Sequence, residues 1–209
     1  MEAFIVIEAD GEKQLLEMPH IRYYEFAVRN FKRHQVLSKT INKIRKNIID
    51  LSEEEEKDAW YEFHNTSINT LIYSAFTLEG YINYYATKYK IPFHDEIEKK
   101  LTTKMKWEMY PKFKNKKSLS KTTLGLIKEI FDLRNDFVHP KPMKYSASGK
   151  SKKDNSATAR LEKKNKGQLI NQLNSIIKAL FKIDEDENMH HEQQPWLKIM
   201  IKQPRKKKK

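Results

Sequence analysis

The sequence predicts an all-α protein, a bundle of antiparallel amphipathic helices. Three observations lead there. Apolar residues recur at three- and four-residue spacing through four long stretches, roughly 21–50, 53–89, 124–138 and 158–183. Only 5 of the 209 residues are glycine and 7 are proline, so few turns interrupt long elements. Charged residues make up 33% of the chain and hydrophobic ones 38%, the balance of helices with one buried stripe and wide solvated faces.

The first twenty residues stand apart from this pattern. Ala3 to Ile7 and Lys13 to Met18 are short runs on either side of Asp10-Gly11, a turn signal, and Pro19 closes the second. A β-hairpin appendage over 1–20 is expected. From Ile21 to about Asp50 the positions Tyr23, Phe26 or Ala27, Asn30 or Phe31, His34, Leu37, Ile41, Ile44 and Ile48 mark a helix. Ser38-Lys39-Thr40 is a candidate interruption. Ser52 with Glu55 has capping-box spacing and an acidic first turn. A long helix starts there and runs to about Tyr89, with Leu71, Ala75, Leu78, Glu79, Ile82 and Ala86 on its stripe.

Pro92 breaks the chain, and His94 to Met105 reads as a shorter helix. Trp107 to Phe113 is aromatic, contains Pro111 and reads as irregular, and Lys112, Lys114, Lys116 and Lys117 form a basic connection. Ser120 is the expected N-cap of a helix ending at Val138, in which Gly125 would permit close packing. Residues 141–157 are rich in Lys, Ser and Asn and lack periodicity, so they are expected to form an exposed basic loop. Thr158 to Ile183 is the last strong helical pattern. Asp184-Glu185-Asp186-Glu187 ends it as an acidic cluster expected to repel RNA. The organisation expected is a hairpin over 1–20, a helical domain over 21–185 and a tail over 186–209 that ends in the basic run Arg205 to Lys209.

Composition narrows the function classes. The net charge is +13, from 41 Lys and Arg against 28 Asp and Glu, which favours RNA or another polyanion as partner. Cysteine is absent, which excludes disulfides, thiol chemistry and thiolate metal sites. No run approaches the length of a membrane span, so no membrane is expected. Glu2, Glu8 and Asp10 with no basic flank argue against a signal peptide, and a reducing cytoplasm is the default. His190-His191 lacks a spaced ligand pattern and no Gly-rich phosphate loop exists, so neither metal nor cofactor is expected. Tyr23-Tyr24 and Tyr84-Tyr85 are candidates for base stacking. His20, His34, His64 and His94 are scattered and read as helix-surface or interface residues.

The stretch that carries chemistry is Leu133-Arg134-Asn135-Asp136-Phe137-Val138-His139-Pro140. Counting back from Val138, the positions Arg134, Phe131, Ile127 and Leu124 share one helix face. A charge in an apolar stripe is costly unless it is paired or put to use. Asn135 and His139 lie one turn apart on a neighbouring face. Pro140 disfavours helix at His139, so the imidazole sits at a frayed end near solvent. Glu79 is a second charge in an apolar stripe. It and Arg134 are expected to neutralise each other across a helix–helix contact, with Asn83 one turn on lining the same surface.

Arg134-Asn135, three residues and His139, together with Glu79 on an earlier helix, resemble the signature of the HEPN superfamily. The resemblance implies an all-α bundle that dimerises and, in active members, a metal-independent endoribonuclease acting in toxin or antiviral roles. It makes His139 the general acid/base, Arg134 the phosphate clamp, Asn135 the orienter and Glu79 the partner of Arg134. Lys141 and Lys144, which follow His139 directly, are placed to hold the RNA backbone. One copy supplies one histidine, so a homodimer with both motifs at its two-fold axis would make a composite site. Such cleavage leaves 2′,3′-cyclic phosphate and 5′-hydroxyl ends, and a toxin would need an antitoxin or other regulatory protein. The alternative is a catalytically silent module of the same kind that binds RNA, a nucleotide or a partner protein.

Overall fold

The computed structural model describes residues 4–9, 12–139, 157–164 and 168–187. Strands β1 (Phe4–Ala9) and β2 (Glu12–Glu17) pair antiparallel, with Ala9 opposite Glu12 and Phe4 opposite Glu17. Asp10-Gly11, the expected turn, lies outside the described residues. Among the described residues every other regular element is a helix.

Helix α1 (Pro19–Arg45) follows directly, with Pro19 in its first turn, where a missing N–H costs nothing. The interruption expected at Ser38-Lys39-Thr40 does not occur. Leu37 and Ile41, buried on either side of it and four apart, fix one face, and that packing overrides the weak propensities between them. Helix α2 (Glu53–Lys88) starts at the expected capping box. Ser52 Oγ accepts from Glu55 N–H at 3.3 Å and the Glu55 carboxylate accepts from Ser52 N–H at 2.9 Å. The two helices form a long hairpin. Thr66, Thr70, Tyr73, Thr77 and Gly80 share the α2 face that meets α1. Tyr73 rings lie against Tyr23 and Phe26, and Gly80 rests on the His20 backbone. The hydroxyls on this seam donate to the carbonyl one turn back, Thr70 to Thr66 and Thr77 to Tyr73, each at 2.7 Å. They are therefore buried with their hydrogen bonds made.

After the one-turn α3 (His94–Ile97), α4 (Thr103–Asn115) runs straight through the segment expected to be irregular. Pro111 removes one backbone hydrogen bond inside it. Trp107 and Tyr110, both fully buried, offset that loss, and Trp107 Nε1 donates to the Leu78 carbonyl at 3.0 Å. Helices α5 (Lys121–Val138), α6 (Ala157–Lys164) and α7 (Gln168–Ile183) complete the bundle. The single last helix expected from Thr158 is thus two, flanking residues 165–167, which lie outside the described residues. One core joins them all. It runs through Leu71, Leu78 and Ile82 of α2, Ile127, Ile130 and Leu133 of α5, and Leu173, Ile177 and Leu180 of α7.

The acidic cluster behind α7 does not face solvent as a whole. Asp184 and Glu187 are buried, at 1% and 0% exposure. Glu187 accepts from the hydroxyls of Tyr81 and Tyr89 and from Lys88, each at 2.7 Å. Asp184 accepts from Tyr85 at 2.6 Å, Lys114 at 2.7 Å and Asn115 at 2.9 Å. The ammonium of Lys114 also lies 3.5 Å from the Tyr89 ring centroid. Two of the four acids are therefore neutralised inside the fold, which removes much of the charge expected to repel RNA. Burial raises the Asp184 carboxyl, but hydrogen bonds from Lys114, Tyr85 and Asn115 outweigh it and hold the group below its ordinary 3.8.

This clamp sets two expectations. Asp184→Asn turns an amide N–H toward a ring of donors and leaves Lys114 short of its counter-charge, so about 3 kcal/mol of stability is lost in denaturant unfolding. The depressed carboxyl stabilises the native state above the unfolded-state value, and that contribution is lost as pH falls below about 4. The pH dependence of the melting temperature between 3 and 5 is accordingly shallower in Asp184→Asn than in the parent.

Candidate functional site

Helix α5 carries the candidate site at its C-terminal end. Ser120 caps its start by accepting from Thr123 N–H at 3.1 Å. The buried stripe is Thr123, Ile127, Ile130 and Leu133, one position off the stripe counted from Val138. Leu124 and Phe131 are only half-buried, and Val138 is 45% exposed. Gly125 faces open space, with nothing within 4 Å of where a Cβ would stand, so it serves no close packing.

At the helix end Arg134 is half-buried, and Asn135 and His139 are exposed. The Arg134 guanidinium donates from Nη1 to Asn135 Oδ1 at 3.0 Å, while its Nε is buried with no partner. His139 is the C-cap. Its backbone N–H donates to the Asn135 carbonyl at 2.8 Å, and its backbone has left the helix at φ −125° and ψ 67°. Asn135 and His139 are therefore one turn apart, with Arg134 beside Asn135 and His139 exposed. Asp136, between them in sequence, is drawn away by an ion pair with Arg160 of α6.

Glu79 does not join them. Among the described residues it forms no ion pair with Arg134. Both side chains are half-buried rather than enclosed, so water solvates each and neither needs the other as a buried counter-charge. Asn83 is tied elsewhere as well. Its Oδ1 accepts from Lys106 of α4 at 2.8 Å, and Lys106 is 4% exposed, so this face of α2 belongs to the α2–α4 contact. Lys141 and Lys144 lie outside the described residues, as do His190 and His191.

Other sequence candidates are structural. Tyr24, Tyr84 and Tyr85 are buried, and Tyr24 donates to Asn174 Oδ1 at 2.9 Å, so none of the three is open to a base. His20, His34 and His94 are core residues rather than surface ones. His20 stacks on Tyr81 at 4.7 Å, His34 on Phe63 at 4.4 Å, and the His94 ring hydrogen-bonds the Tyr110 hydroxyl at 3.0 Å. Aromatic rings at each contact make histidine acceptable inside the bundle, and no periodicity signal distinguishes such a position from a solvated one. Among the described residues no group of His, Asp and Glu is arranged to hold a metal ion, and no helix is long and apolar enough to cross a membrane.

Compared with family models, with curated proteins and with solved structures, the chain finds no match.

The state of Arg134 has a direct consequence. A buried Arg–Glu pair broken on one side costs roughly 3–5 kcal/mol. Here the guanidinium has no carboxylate partner among the described residues, and removing a donor that is buried without a partner relieves a penalty. Arg134→Met, which keeps the apolar stem, is expected to change stability by less than about 0.5 kcal/mol in chemical denaturation. A loss of several kcal/mol would show that Arg134 is a structural member of the core.

Proposed function

We propose that the chain is a metal-independent endoribonuclease of HEPN type, acting as a homodimer. The observation that carries this reading is Arg134 itself. It is a permanent cation held to Asn135, without a carboxylate partner among the described residues, and Asn135 lies one turn before the exposed His139. An arginine whose charge is not spent on an acid is available for a phosphate, which it meets bidentately. A histidine beside it can take or give a proton near neutral pH.

In this reaction the ribose 2′-oxygen attacks the adjacent phosphorus and the bond from phosphorus to the 5′-oxygen breaks. A base takes the 2′-hydroxyl proton and an acid returns one to the departing 5′-oxygen. Arg134 stabilises charge gathering on the phosphoryl oxygens. One histidine does not act as base and acid in the same step, so two copies of His139 brought together across a two-fold axis fill both roles. The α5 end suits that arrangement, because Val138, 45% exposed, adjoins His139 on a turn that the described residues leave uncovered. The products carry 2′,3′-cyclic phosphate and 5′-hydroxyl ends. A toxin or antiviral role, with an antitoxin or regulator to restrain it, follows from the resemblance to the HEPN superfamily.

Cleavage of a mixed RNA pool in EDTA tests the chemistry. Parent protein is expected to cut, and His139→Ala and Arg134→Ala to fall by about 10²–10⁴-fold with their circular dichroism unchanged. Equal rates in all three folded proteins would reject the nuclease and leave a helical binding module. The dimer has its own test. Val138→Glu places a charge on the shared turn and is expected to shift sedimentation from two copies to one and to abolish cleavage, while leaving the melting temperature within about 2 °C. A parent that sediments as a monomer while cutting RNA would remove the composite site.

A further inference from the structure

The back of α1 carries charge that the site above does not use. Arg22, Arg29, Lys32, Lys39, Lys43 and Lys46 are all exposed. Their spacing of seven or of three to four residues, with Glu25 and Val36 in the two seven-residue gaps, keeps them on one ridge opposite the face buried on α2. The ridge is about 36 Å long at 1.5 Å per residue. Solvated helix faces usually mix the two signs, but Glu25 is the only acid in α1. The acids of this hairpin are sorted onto α2, at Glu53 to Glu56, Asp58 and Glu62. Two other α1 cations reach toward α2: Arg33 pairs with Glu62 at 2.6 Å and Arg45 covers the Trp60 ring at 4.7 Å. Lys32, Lys39, Lys43 and Lys46 form no ion pair among the described residues.

We propose that this ridge is a track for the RNA backbone, a second contact surface remote from His139. The proposal rests on RNA being the substrate. A row of ammonium groups at helical spacing matches a polymer of repeating charge and reads no base. A lipid surface fits poorly, because an interfacial helix needs an apolar face next to its basic one. The apolar face of α1 is already buried on α2 and leaves only Val36, 54% exposed, on the ridge. The ridge also lies at the right level of the bundle. Asp136 at the end of α5 pairs with Arg160 of α6, Glu162 of α6 approaches His64 of α2 at 3.8 Å, and the neighbouring Phe63 stacks on His34 of α1. The middle of the ridge is thus joined laterally to the helix end that carries the motif.

The test uses the full chain carrying His139→Ala and a labelled single-stranded RNA of about 20 nucleotides, with affinity followed against salt. Changing Lys32, Lys39, Lys43 and Lys46 together to Gln is expected to lower affinity at least tenfold and to flatten the salt slope by about 3, from roughly 0.7 per lost phosphate contact. Lys178→Gln with Lys182→Gln on α7 is the control and is expected to change neither. Unchanged affinity and slope in the folded ridge variant would overturn the track, as would an equal loss in the control. Preference for polyglutamate of matched charge over RNA would also overturn it, in favour of an acidic protein. Failure here is separable from failure of the nuclease. A His139→Ala protein that cuts like the parent removes the nuclease and leaves the ridge result standing. An intact slope beside a dead His139→Ala protein does the reverse.

Discussion

Burial of most of the second half of α2 is the constraint the rest of this bundle depends on. From Leu71 to Ala86 no residue is fully exposed, and Leu71, Ala75, Leu78, Tyr81, Ile82, Tyr85 and Ala86 are all essentially inaccessible. A helix so deeply buried must find a partner for each polar atom it carries into the core. The hydroxyls of α2 that face α1 are met within the helix, by carbonyls one turn back. The tyrosine hydroxyls are too long for that and reach outward. Their partners are Asp184 and Glu187, which in turn need Lys114, Asn115 and Lys88. A demand created in the middle of the chain is therefore met by the segment after α7, and the ends of α4 and α7 are pinned together as a result.

That pinning leaves the other end of the bundle open. Asp184 and Asn115 hold the region just before the start of α5, and from there α5 runs about 27 Å to His139. Its buried stripe ends at Leu133, and beyond it the side chains are half-buried or exposed. An arginine is tolerable at such a place because its stem can lie on the core while its guanidinium meets water. The same opening accounts for Glu79 and Arg134 remaining apart, since neither is enclosed enough to require the other.

Charge is distributed by the same logic. Acids in contact with α2 tyrosines are buried and neutralised, acids at the start of α2 complement its helix dipole, and most cations of α1 stand on a ridge facing away from the core. The net charge of +13 is therefore not spread evenly over the described surface. A long basic stretch of surface lies on α1 and an exposed helix end on α5, and the proposed RNA track and nuclease draw on them in turn.

Local rules were legible in the sequence wherever the outcome depends on neighbours within a turn or two. The capping box at Ser52 and Glu55, the cap at Ser120, the end of α5 at His139 before Pro140, and the helical class itself follow from short-range hydrogen bonding and 3.6-residue periodicity. So does the placing of Asn135 one turn before His139 with Arg134 next to it, which backbone geometry guarantees. Tertiary packing decided the remainder. Pro111 lies within a helix because Trp107 and Tyr110 are anchored in the core, and Ser38 to Thr40 remain helical because Leu37 and Ile41 seat on α2. Asp184 and Glu187 look like a solvated acidic cluster until lysines and tyrosines some 70 to 106 residues away enclose them. The sequence determined which residues share a turn, because backbone geometry makes that local. Which charges are paired, and which are left free to meet a partner, was decided only by how distant helices came to rest against one another.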